Sequence, residues 1–126
     1  MNMILAIAAG GAIGSVLRHY AGQATMLLLG MTFPYGTLFV NIAGSFVMGV
    51  LVSLFALQGN ASPELRAFLT VGLLGGFTTF SSFSLDAAAL YERGEPASAA
   101  LYVALSLVLS LSAIFAGLFL GRSFAA

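Results

Sequence analysis

The chain has 126 residues, 60% of them hydrophobic and only 6% charged, and a mean hydropathy of +1.07. Soluble domains carry about a quarter charged residues, so a water-facing surface is excluded and the chain reads as a membrane protein. Net charge is zero, there is no Cys, and one His and four scattered acids form no cluster. Thiolate chemistry, metal centres built on acids or His, enzyme catalysis and nucleic-acid partners are therefore not expected.

A membrane span needs about 20 apolar residues, more when tilted. Four stretches satisfy this, 3–29, 36–57, 65–91 and 97–120, and together they make a single domain over 1–126. The N-terminal MNMILAIAAGGAIG lacks a basic leader and continues apolar through Leu17, so it reads as the first span and not as a cleaved signal. Short loops at 30–34, 58–63 and 93–96 make sequential helices antiparallel neighbours.

In the first span, Ala6, Gly10, Gly14, Arg18 and Gly22 step by four. Small residues at this spacing let helices approach closely in lipid. A charge inside a span costs about 2.5 kcal/mol or more and usually faces a bundle interior or water. Arg18 shares its stripe with glycines, which favours an aqueous vestibule over snorkelling to the interface.

In the second span, Thr37, Asn41, Gly44 and Ser45 share a face. Asn41 lies about two turns in, where its amide needs a partner. It reads equally as interhelical glue or as a pathway donor.

The third span contains Gly72–Phe83, GLLGGFTTFSSF. Two glycines followed by threonines and serines make a poor helix at the span's midpoint. A break there leaves backbone groups that hydrocarbon does not satisfy, so it marks a candidate site. Carbonyls freed at the end of the first half-helix form a partially negative cluster suited to a small cation such as Na+. Phe80 and Phe83, at i and i+3, share a face whose partially positive ring edges can meet an anion. Core packing is the other reading of this pair. Asp86, Glu92, Arg93 and Glu95 read as solvated or interfacial charges.

The fourth span carries Tyr102, Ser106, Ser110, Ala113, Gly117 and Gly121 in one stripe. Hydroxyls on a lipid-facing side are wasteful, so the stripe faces protein or a pore. Hydroxyl donors without an ionisable group suit a small anion or water better than a proton relay.

Arg66 and Arg122 fall on the N-terminal side, Arg93 on the other with Arg18 nearer that end of its span, a near-even split, and there is no Lys. The positive-inside rule then sets no orientation. Opposed copies pairing around an in-plane axis would resemble the inverted repeats of transporters, and would bring two helix breaks together.

The segments GGAIGSVLRHY, GTLFVNIAGSFVMG and GLLGGFTTFSSFSLD, which with their surroundings cover nearly the whole chain, resemble the Fluc (CrcB) fluoride channels. The resemblance implies an all-α membrane protein with four transmembrane helices and a broken third helix. It further implies assembly as an antiparallel dual-topology homodimer in the lipid bilayer of a bacterial inner membrane, passing fluoride passively. Backbone carbonyls of Gly75 and Thr78 from both copies would hold a structural Na+. Phe80, Phe83 and Asn41 would contact fluoride, with Thr37 and Ser81 as further lining or support. Tyr102, Ser106 and Ser110 would form a hydroxyl track, and Arg18 would draw anions into a vestibule. The rival reading is a proton-coupled small multidrug-type exporter. It requires a membrane-embedded carboxylate, for which Asp86 is the only candidate.

Overall fold

In the computed structural model, which describes residues 2–125, all regular structure is helical. Helices α1 (Asn2–Leu29) and α2 (Tyr35–Gln58) each form a continuous span. The third span is composite: α3 (Pro63–Ala67), a π-helical segment (Phe68–Leu74), α4 (Gly75–Phe77) and α5 (Phe80–Glu92). Helix α6 (Pro96–Ala125) completes the chain. Four helical spans are long and apolar enough to cross a bilayer, as the sequence requires of a multi-pass all-α membrane protein.

Local signals set the element ends. Ser62 accepts a hydrogen bond from the Leu65 amide at 3.1 Å and is followed by Pro63, a capped start for α3. Helix α2 stops at Gly59, whose φ of 69° is the left-handed value that glycine adopts without a Cβ clash.

Without a hydrophobic force between helices in lipid, packing depends on backbone proximity. Helix α1 presses Gly10 and Gly14 against the π-helical segment and α4. A Cβ on Gly14 would collide with the Leu73 carbonyl oxygen and lie 2.9 Å from Phe77 N. Helices α2 and α6 interlock in the same way: a Cβ on Gly117 would meet Phe46 O and sit 3.0 Å from Val50 N. The stripe of α6 thus faces protein, with Ala99, Tyr102, Ser106, Gly117 and Gly121 all buried. Phe83, Leu90, Ala99 and Tyr102 form the apolar core where α5 meets α6.

The third span breaks, but not at its glycines. Gly75 has helical angles (φ −61°, ψ −38°), and Gly76 packs against α1, where a Cβ would lie 2.7 Å from Gly11 O. The extended residues are Thr78 (φ −90°, ψ 160°) and Thr79 (φ −155°, ψ 121°). Thr79 then caps α5 by accepting from the Ser82 amide at 3.1 Å. Threonine disfavours helix interiors and favours caps, because its hydroxyl competes for backbone groups. The π-helical segment had no signature in the periodicity. Its wider turns place the Gly75 amide on Thr70 O, five residues back, while Thr70 Oγ1 donates to Arg66 O at 2.7 Å.

Candidate functional site

Two side chains from other helices hold the backbone at the break. Asn41 of α2 meets Thr79 twice: its Oδ1 accepts the Thr79 amide at 2.8 Å and its Nδ2 donates to the Thr79 carbonyl at 3.0 Å. Arg18 of α1 donates Nε to the Gly76 carbonyl at 3.0 Å, placing a cation at the partially negative end of α4. These contacts replace the water that hydrocarbon cannot supply. Gly44, next on the Asn41 face of α2, leaves room for Thr78, whose Cγ2 a Cβ would strike.

One carbonyl loses its ordinary partner. In a continuous helix the Thr79 amide would pair with Gly75 O, but it is given to Asn41. The Thr78 amide is also committed, to Leu74 O at 3.0 Å. Gly75 is exposed in the single chain, so its neighbourhood is open for a further group.

Two cavities flank the break. The first, about 320 Å³, is lined by Arg18, Thr37, Thr79, Ser82, Asp86 and Arg93 among others. Its walls carry charged side chains. The second, about 340 Å³, is lined by Asn41, Ser45, Phe80, Phe83, Ser106 and Ser110, with Met48, Thr78 and aliphatic residues. No ionisable side chain lines it. The Ser106 and Ser110 hydroxyls are buried with no hydrogen-bond partner among the described residues. An orphaned buried hydroxyl requires an explanation, because burying one unpaired costs about 1–3 kcal/mol.

Thr79 lines both cavities, and an aromatic cluster lies beside the second. Phe80 and Phe83 lie with ring centroids 5.4 Å apart, tilted by 51°. Phe83 is buried and packs on Tyr102 at 5.3 Å, whereas Phe80 is 74% exposed, its ring offered to whatever covers this face. Tyr102, fully buried, donates its hydroxyl to Asp86 Oδ2 at 3.1 Å. It therefore touches residues of both cavities, Asp86 and Phe33 of the first and Phe83 of the second, while lining neither.

The structure thus divides the residues singled out from sequence. Arg18 and Thr37 border the charged cavity; Asn41, Thr78, Phe80, Phe83, Ser106 and Ser110 border the uncharged cavity. Gly75 stays outside both, as does Ser81, which is exposed with its hydroxyl 3.3 Å from Thr79 Oγ1. Asp86 is half-buried in the wall of the charged cavity with a hydrogen-bonded partner, not a solvated surface acid. Its position three residues after Phe83 carried that signal. Thr79, the residue on which α2 and the break meet, was missed because only the fold brings Asn41 to it. Ser45 shares its face with Asn41 and lines the same cavity.

Residues 5–118 match the family profile described as CrcB-like protein, Camphor Resistance (CrcB). A protein of Agrobacterium fabrum named fluoride-specific ion channel FluC is 58% identical over 123 residues, 98% of each chain. Proteins of the same name from Rhodospirillum centenum and Rhizobium etli are 56% and 54% identical, again over 123 residues and 98% of each chain. With matches of this extent over the broken helix and its clamps, the chain belongs to the CrcB-like family.

Proposed function

We propose that the chain is one half of a passive, fluoride-selective channel of a bacterial inner membrane, completed by a second copy inserted in the opposite orientation. The observation that carries this reading is the uncharged cavity. Its polar lining consists of an amide and hydroxyls, and two of those hydroxyls have no protein partner. Fluoride is small and tightly hydrated, so a pathway must offer donors in place of water at each step. Asn41, Ser106 and Ser110 supply them, and the partially positive edges of Phe80 and Phe83 supply a further contact. Arg18 and Thr37 border the vestibule from which anions arrive, with Tyr102 behind the cavity wall. The acid among the cavity-lining residues, Asp86, sits on the vestibule and not on this track. The relatives' name, fluoride-specific ion channel, supports the same ion.

The inverted copy has support in the balanced arginines and in the exposed Phe80 and Gly75 beside the break. The freed Gly75 carbonyl fits a cation site: with Thr78 O, and their counterparts in the second copy, it would hold Na+. Bound there, Na+ supplies a fixed positive charge that offsets the charge of an anion near the membrane centre.

Anion efflux from liposomes loaded with fluoride, and from a parallel set loaded with chloride, tests the proposal. Purified protein should release fluoride but not chloride, and Phe80→Ile should cut release by roughly tenfold or more, as expected for losing one anion contact. Release no faster than from protein-free liposomes would refute the channel, and undiminished release by Phe80→Ile would refute this pathway.

A further inference from the structure

We infer that Asn41 is a positioning residue for the cation site: by taking the Thr79 amide, it keeps the Gly75 carbonyl free. The inference rests on the cation site proposed above and concerns how this chain builds it. The Thr79 N–H has two alternative acceptors, one in a continuous helix and one in the broken span with Thr78 extended. One is Gly75 O, which it would meet if the helix ran on, and the other is Asn41 Oδ1, which it meets at 2.8 Å. It cannot serve both. The second contact, Asn41 Nδ2 to Thr79 O at 3.0 Å, fixes which way round the amide stands, with the oxygen on the backbone N–H and the nitrogen on the carbonyl. One N–H of Nδ2 is spent on Thr79 O, so a single N–H remains for the cavity that Asn41 lines.

The amide therefore has two duties, carried by different atoms. Its oxygen and one N–H shape the backbone of the break, and its other N–H faces the pathway. Arg18 cannot substitute in the first duty, because its contact is to Gly76 O. The Thr78 amide cannot quench Gly75 O either, being held by Leu74 O. With Thr78 and Thr79 extended, Asn41 is the side chain that takes the Thr79 amide and so keeps it from Gly75 O.

The duties separate by substitution. Asn41→Ala and Asn41→Leu remove the acceptor, so the Thr79 amide returns to Gly75 O and Na+ loses a carbonyl. Asn41→Asp keeps an acceptor for the Thr79 amide but loses both N–H donors, the one to the Thr79 carbonyl and the one to the pathway. The readout is the rise in thermal unfolding midpoint of detergent-solubilised, full-length protein as Na+ replaces N-methylglucamine, with fluoride flux measured alongside. Wild type and Phe80→Ile should show the Na+-dependent rise. Asn41→Ala and Asn41→Leu should need roughly tenfold or more Na+ for it, the scale of one competing hydrogen bond. Asn41→Asp should keep the rise and lose flux. An unchanged Na+ response in either apolar variant overturns the inference. Should neither apolar variant fold, Asn41→Asp decides: a retained response upholds the inference and a lost one overturns it. A wild type indifferent to Na+ would instead overturn the cation site itself, and the inference with it.

Discussion

Two glycines of one stripe, eight residues apart on α1, are expected to respond to the same substitution with opposite signs. At Gly14 an added Cβ would collide with Leu73 O and lie 2.9 Å from both Leu73 C and Phe77 N. All are backbone atoms of the π-helical segment and α4, so no side chain can swing aside, and α1 must move away by roughly an ångström. Overpacking of this kind costs about 1–3 kcal/mol, with backbone neighbours at the upper end. Replacing a helical glycine by alanine returns about 0.5–1 kcal/mol of backbone entropy. Gly14→Ala should therefore be destabilised by about 2 kcal/mol, taking the two ranges together. At Gly22 an added Cβ meets nothing within 4 Å. Only the entropy gain remains, and Gly22→Ala should be stabilised by about 0.5–1 kcal/mol. Denaturant titration followed by helical circular dichroism, in one detergent, measures both against wild type. The gap should be near 3 kcal/mol on these figures. Equal stability of the two variants, or a more stable Gly14→Ala, would refute the close approach of α1 to the broken span.

Ser106→Ala should raise stability by about 1 kcal/mol or more, because it deletes a buried hydroxyl that has no partner. A drop in the same titration would mean that the hydroxyl is satisfied within the protein. Arg93 bridges Glu95 at 3.2 Å and the Thr32 carbonyl at 3.2 Å, but both ion-pair partners are about half exposed. Arg93→Ala should thus cost less than about 1 kcal/mol and be insensitive to added salt beyond that margin.

Much of the architecture was legible because lipid imposes simple demands. Four apolar stretches, short glycine-bearing loops and a stripe of small and hydroxyl residues on the last span all correspond to features of the fold. The stripe of the first span was legible only in part. Spacing by four makes Gly10, Gly14 and Gly22 look alike, yet the first two lie under the π-helical segment and the third faces open space. The break was placed within a few residues, and of the glycines and threonines it was attributed to, only the threonines open the helix. Gly75 and Gly76 are helical, and the opening falls at Thr78 and Thr79, where threonine side chains and Asn41 offer the backbone other partners.

The sequence by itself determined that this chain lives in a membrane, crosses it four times, and carries a span that cannot be a plain helix. Composition and local hydrogen-bonding chemistry are properties of residues, and they act wherever the chain goes. Only the tertiary structure decided which carbonyl the break sets free. That choice depends on whether the Thr79 amide meets Gly75, four residues back along its own span, or Asn41, thirty-eight residues away on α2. A contact between distant residues exists only once α2 is packed against the break, so no reading of spacing could have assigned it.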